Sequence, residues 1–174
     1  MTRDILIVSD THGRVTRLNE LIEYRQKLYS PQKIMQMMEK SFEKEMGIRE
    51  KTLADYRKEF KIVKGDGFYQ ITGYKSENPA VIIPGKIKDI PVKIGAAFEY
   101  KFDIQTVHID EGVTEIEQYA FRGCENLQSI TIPESVTNIS ESAFRSCPNV
   151  TIHASAGSYA EQYAKRNNIK FQAI

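Results

Sequence analysis

Hydrophobic and polar positions repeat along the second half of the chain with a period of 23 residues. Residues 104–126 (IQTVHIDEGVTEIEQYAFRGCEN) align without a gap with residues 127–149 (LQSITIPESVTNISESAFRSCPN), and eleven of the 23 positions are identical. Apolar or small residues occupy most of the shared positions. A fixed period of 20 to 29 residues with such an apolar skeleton is typical of stacked repeats that bury their apolar faces only against one another.

The pattern inside one repeat predicts its local structure. Leu127, Ile130 and Ile132 are expected to point inward, and the polar residues between them outward, as in a strand. A turn at Pro133–Glu134, a second extended piece at 136–139 and a helical turn at 142–144 complete the predicted unit. Phe144 is expected to fill the interior of the coil, as Phe121 does one layer earlier.

These residues, in the pattern I/LxxV/IxI followed by VTxIxxxAFRxCxN, resemble the BspA-like class of leucine-rich repeats. Residues 68–98 resemble an opening repeat that is one residue short before its Ala-Phe pair, and residues 150–164 resemble a closing unit with a capping helix. The resemblance implies an α/β fold in which residues 67–174 form a short leucine-rich-repeat solenoid. A helical region and an N-terminal β-strand/helix fragment are predicted to precede it.

The resemblance also implies a function, since relatives of this class are associated largely with adhesion and interaction. Outward strand positions would form one continuous face that binds a protein or a glycan, without catalysis. The alternative is that these positions are ordinary solvated strand residues. The residues predicted for this face are Gln105, Thr106, His108, Gln128, Ser129 and Thr131.

Residues 1–24 form a separate fragment, with a strand at Ile5–Val8, a turn through Ser9-Asp10-Thr11-His12-Gly13 and an amphipathic helix. The fragment resembles the opening of the calcineurin-like metallophosphoesterases, which implies that Asp10 and His12 would be the first ligands of a two-metal site. The chain has only three histidines and lacks the GNH and GHxH motifs of that family. We therefore expect an incomplete fragment, with no catalytic residues and no cofactor, and the alternative interpretation of the chain is a vestigial metallophosphoesterase fragment fused to the repeats.

Residues 25–66 are predicted to be helical, with one helix after Pro31 and a second at about 50–60, before a turn at Gly65-Asp66-Gly67. The main interpretation is a unit that covers the open end of the solenoid. The alternative is a winged-helix-like regulator that binds DNA through the helices of residues 31–64, with Arg49, Lys51, Arg57 and Lys58 contacting phosphates. The charges of these helices are mixed in sign, which makes nucleic acid the less favoured partner.

Composition bears on the class of ligand, the compartment and the role of the cysteines. The chain has 41% hydrophobic and 27% charged residues and a formal net charge of +1, so its overall charge favours no class of ligand. No run of apolar residues is long enough for a signal peptide or a membrane helix, which predicts a cytoplasmic protein, although family relatives are often found at the cell surface. The two cysteines, Cys124 and Cys147, are predicted to be buried thiols on adjacent coils. The partner's identity and the oligomeric state are left open.

Overall fold

The computed structural model describes residues 51–174. Helix α1, Leu53–Glu59, lies within the second helix predicted for residues 50–60. Thr52 caps it, because its hydroxyl accepts from the Asp55 backbone N–H while the Asp55 carboxylate accepts from the Thr52 backbone N–H. The helix ends where Phe60 adopts extended backbone with φ of −122°.

Strand β1, Phe60–Lys64, was not predicted, because its sequence FKIVK continues directly from the helix. It pairs antiparallel with β2, Tyr69–Tyr74, across a turn at the predicted Gly65-Asp66-Gly67. The pairing shifts register between Lys61 and Ile62, which marks a bulge. Exposed lysines on β1 discourage further strand pairing at this edge.

The remaining strands form a solenoid of about five turns with two sheets. The first sheet has the order β1-β2-β5-β7-β9, with β4 paired to β5, and the second has the order β11-β10-β8-β6-β3. All pairs are parallel except β1–β2 and β4–β5. The elements after β2 are β3 Ala80–Ile83, β4 Lys86–Ile87, β5 Ile90–Ile94, β6 Thr106–Ile109, β7 Glu115–Ile116, β8 Ser129–Thr131, β9 Asn138–Ile139, β10 Thr151–Ala154, α2 Tyr159–Arg166 and β11 Lys170–Ala173.

The observed register confirms the predicted inward and outward positions of the repeat. Val107 pairs with Ile130, and Ile130 with Ile152, and all three side chains are buried. Leu127 and Ile132 are buried as well, whereas Ser129 and Thr131 lie on the outer face. Each coil therefore covers the apolar side chains of the coil before it.

A stack of phenylalanine rings runs through the interior on the turn side of the coils. The Phe98 and Phe121 centroids lie 5.0 Å apart and those of Phe121 and Phe144 lie 5.2 Å apart, with interplanar angles of 7° in both pairs. Tyr74 packs against the first ring at 5.4 Å and Tyr163 against the last at 5.9 Å. Each such pair contributes about 0.5–1.5 kcal/mol beyond the area it buries.

The turns that surround this stack are bonded from one layer to the next. The backbone N–H of Phe98 donates to the Ala120 carbonyl, and that of Phe121 donates to the Ala143 carbonyl. The Asn126 side-chain amide donates to the Phe102 carbonyl at 2.9 Å, one layer earlier, and Asn149 repeats this contact on Glu125. The backbone N–H and carbonyl groups of these turns thus find hydrogen-bond partners in the adjacent coil without forming a regular strand.

One equivalent position in three successive coils has left-handed backbone. Tyr100, Gly123 and Ser146 occupy equivalent places in three successive coils, with φ of 56°, 71° and 62°. In a residue other than glycine, this backbone conformation costs about 1–2 kcal/mol. Ser146 is therefore strained at a place where the previous coil has glycine.

The last coil replaces the first-sheet strand with helix α2, which confirms the predicted capping helix. Ser158 caps the helix, and the buried face of the helix consists of Ala160, Tyr163 and Ala164. The chain then forms β11, which pairs in parallel with β10. This strand was not predicted, because Lys-Phe-Gln-Ala contains a single large apolar residue. It is an edge strand of the second sheet in the described part of the chain.

We predict that Phe121→Ala lowers the free energy of unfolding by about 3–5 kcal/mol, because it removes the middle ring of the stack and leaves a cavity. Chemical denaturation of the full chain measures this loss. Phe102→Ala is the matched control, since that ring is 48% exposed, and it should change stability by about 0.5 kcal/mol or less. Equal losses in the two variants would contradict the stacking argument.

We predict that Ser146→Gly raises the free energy of unfolding by about 0.5 kcal/mol, because the relieved strain exceeds the added flexibility of the unfolded chain. Gly123→Ala should lower it by about 1–2 kcal/mol, because it adds the same backbone strain and because its Cβ would lie only 2.5 Å from the Tyr100 ring. Ser142→Gly, at a position without left-handed backbone, is the control and should destabilise. Denaturant midpoints of the three variants compare these signs directly.

Candidate functional site

The outer face of the second sheet carries two continuous rows of side chains, which are set by the parallel register of its five strands. Every member of both rows is exposed or half-buried. Ala80, Thr106, Ser129, Thr151 and Lys170 form the first row. Ile82, His108, Thr131, His153 and Gln172 form the second row.

The six residues predicted for a binding face lie close together on this side of the molecule. Thr106 pairs with Ser129 in the first row, and His108 pairs with Thr131 in the second. Gln105 and Gln128 directly precede β6 and β8, and the Gln128 backbone N–H donates to the Gln105 carbonyl at 2.8 Å. Their placement follows the prediction, and ligand binding by them stays a prediction.

The structure extends the face beyond the predicted residues. Thr151 and His153 continue the rows onto β10, and the sequence signal for them was the match of Thr151-Ile152 to Ser129-Ile130. Ile82 begins the second row and is 63% exposed. It was missed because Val81-Ile82-Ile83 is a continuous apolar run that hides the alternation.

The hydrogen-bonding groups of the two rows have few partners of their own. Among the described residues, none of the row hydroxyls makes a side-chain hydrogen bond, and the only ion pair in the rows joins His108 Nε2 to Asp110 Oδ1 at 3.5 Å. The three central hydroxyls of the face, on Thr106, Ser129 and Thr131, are thus available to a ligand.

Side chains on the outer face of the first sheet, in contrast, satisfy one another. Lys93 Nζ lies 2.8 Å from Glu115 Oε2, and Asn138 Nδ2 donates to the other carboxylate oxygen at 2.9 Å. The Gln70 amide donates to Glu117 at 2.6 Å. The hydrogen bond to Glu115 raises the pKa of Lys93. This face has already formed the contacts that a ligand would have to replace.

Comparison with known families agrees with the stacked geometry. The model of the BspA type leucine rich repeat region matches residues 92–172 in six copies. Residues 92–172 belong to the BspA-type leucine-rich repeat family. The crystal structure of the T. pallidum leucine rich repeat protein is 20% identical, with a TM-score of 0.36, and the match covers 60% of this chain and 71% of that one. No curated protein matches the chain.

The cysteines of the BspA-type coils are structural, as the sequence predicted. Both are buried, and their thiols donate to carbonyls one layer earlier, Cys124 to Phe98 at 3.0 Å and Cys147 to Phe121 at 2.9 Å. The neighbouring Cys147 thiol and burial raise the pKa of Cys124 well above that of a free cysteine. The raised pKa makes Cys124 a poor nucleophile, whereas the hydrogen bond with Cys124 lowers the pKa of Cys147.

The predicted metal ligands Asp10 and His12 lie outside the described residues, so that hypothesis stays a prediction. Residues 51–174 contain no group of three or more His, Cys, Asp or Glu side chains placed to hold a metal ion. His108 and His153 are separated in their row by Thr131. No helix in this range is long and apolar enough to cross a membrane.

The basic residues proposed as DNA contacts are partly neutralised by neighbours. Lys51 lies 3.5 Å from Glu59, and Lys58 lies 3.2 Å from Asp55. Arg57 is exposed on the same short helix. Arg49 lies outside the described residues, so DNA binding by residues 31–64 stays a prediction, and these ion pairs weaken the positive potential that it requires.

We predict that thiol-reactive reagents modify the native protein on the order of 100-fold more slowly than the protein in denaturant, because both thiols are buried in the turn layers. Peptide mapping should find that Cys147, the more accessible of the two, reacts before Cys124. Rapid labelling of Cys124 in the native state would show that the coils open locally.

Proposed function

We propose that this chain is a non-enzymatic binding module that holds a protein or glycan partner on the outer face of the second sheet. The observation that supports this most directly is the contrast between the two sheets. The first sheet pairs its outward polar groups internally, whereas the second presents the hydroxyls of Thr106, Ser129 and Thr131 without such partners. Unpaired surface donors and acceptors cost nothing in water and become specific contacts when a ligand meets them.

The geometry of the face favours a protein partner. Five strands about 4.8 Å apart span about 19 Å, and a four-residue strand is about 13 Å long. Each row is continuous because successive strands stay in register, so the face suits an extended surface of a partner. Shallow faces of this kind differ from the enclosed pockets that small molecules need.

The size of the face sets the expected affinity. Its area of about 250 Å² is well below the roughly 800 Å² that each partner buries in a stable complex. A partner would therefore contact neighbouring segments as well, or several copies would act together, since linked weak contacts reach high avidity.

A library of small folded domains, selected for binding to the full chain, tests the proposal. We predict that Thr131→Arg, at the centre of the second row, weakens the selected binders at least about tenfold, or about 1.4 kcal/mol, because the long side chain blocks both rows. Asn138→Arg is the matched control, since it places the same side chain on the first sheet seven residues later.

Affinities measured by calorimetry for the wild type and both variants decide the outcome. Binders that lose affinity to Thr131→Arg and stay within about twofold for Asn138→Arg support the second sheet as the binding face. The reverse pattern would assign binding to the first sheet. Thermal melting of each variant checks that the fold is retained.

A further inference from the structure

Charge is divided unevenly between the two sides of the middle coils. Residues 102–112, 123–135 and 146–158 lead through β6, β8 and β10 of the second sheet, and they contain no lysine or arginine. The arginines of these coils, Arg122 and Arg145, lie in the turns on the other side. The carboxylates of the three second-sheet segments are Asp103, Asp110, Glu111, Glu125 and Glu134.

An open cleft lies where these segments enter the second sheet. Its volume is about 570 Å³. It reaches the first row through Gln105, the residue directly before Thr106. Neither Glu77 nor Asp103 forms an ion pair among the described residues. The cleft is lined by Glu77, Pro79, Phe102, Asp103, Gln105 and Asn126.

An exposed aromatic ring forms one wall of this cleft. Phe102 is 48% exposed and lies 6.4 Å from the ring of Tyr100, which is 49% exposed. Large aromatic side chains at the surface are enriched at the centres of protein interfaces. The cleft therefore combines an apolar platform with unpaired negative charge.

The same chain shows what such a combination binds. One layer away, the Arg122 guanidinium lies over the rings of Tyr100 and Tyr119, 5.2 Å and 5.0 Å from their centroids. Its Nη1 also pairs with Glu99 at 3.1 Å. A guanidinium satisfies ring and carboxylate together because it is planar, permanently charged and weakly hydrated.

We infer that the cleft beside Phe102, together with the adjoining rows of the second sheet, docks an arginine-bearing segment of a partner protein. This rests on the proposed function and names the chemistry of the partner. A guanidinium would lie over Phe102 and pair with Asp103 or Glu77, while the backbone of the segment meets the hydroxyl rows. Nucleic acid is the wrong partner for this surface, because its phosphates would face the carboxylates.

Synthetic peptides titrated into the isotopically labelled full chain test the inference by NMR. The probes are nine-residue peptides in which serine alternates with arginine, with glutamine or with glutamate. The chain has a formal net charge of only +1, so a general attraction for cations is not expected. We predict saturable shifts at the amides of 102–106 and 128–131 with the arginine peptide, and no binding of the glutamate peptide.

Variants identify the groups responsible. Phe102→Ala and Asp103→Asn should each weaken the arginine peptide about tenfold. Glu141→Gln is the matched control for charge, since this exposed carboxylate lies in a turn away from the cleft, and it should leave the affinity within about twofold. Raising the salt from about 0.05 to 0.5 M should weaken binding, because the ion pairs are partly exposed.

Several results would overturn the inference. Equal binding of the glutamine peptide, shifts confined to the first sheet, or a neutral oligosaccharide that shifts the same amides when the arginine peptide does not would each exclude a basic partner. If the arginine peptide fails while library-selected binders still lose affinity to Thr131→Arg, the binding face stands and its charge preference falls. If both experiments fail, the proposed function falls with the inference.

Discussion

The fold depends on one constraint, that no single coil can bury its own apolar side chains. A coil of about 23 residues has an interior one side chain deep, so the coil above and the coil below must cover it. The ring of Phe121 shows this directly, because Phe98 and Phe144 cover its two faces at 5.0 Å and 5.2 Å. Parallel strand pairing and the hydrogen bonds between turns follow, since both hold successive coils in the register that keeps the rings stacked.

Both ends of the stack need another solution, because a terminal coil lacks a neighbour. At the start, the antiparallel strand β1 covers the first sheet, and Phe60 and Tyr74 pack at the end of the ring stack. At the other end, α2 takes the place of a strand, and Tyr163 covers the last ring. In the described part of the chain, the row residues on the outer face of the second sheet all stay exposed or half-buried.

The same register explains why the two faces differ chemically. Residues that recur every 22 or 23 positions become neighbours on adjacent strands, so a repeated hydroxyl becomes a row of hydroxyls. On the first sheet this rule brings Lys93, Glu115 and Asn138 together, and they pair. On the second sheet it aligns threonine, serine and histidine, and the threonine and serine hydroxyls form no side-chain hydrogen bonds within the described residues. In the proposed binding mode, the carboxylates beside Phe102 give that face its preference for a basic partner.

The sequence by itself determined the repeat, the inward side chains and the central residues of the candidate binding face, because a 23-residue period and strand alternation depend only on local order along the chain. Gln105, Thr106, His108, Gln128, Ser129 and Thr131 could be assigned to one side on this basis. Tertiary structure decided what local order does not encode. Strand β1 forms because β2 offers it an edge, and β11 because β10 does. The cleft beside Phe102 joins Glu77 to Asn126, 49 positions apart, and only the stacking of coils places them together.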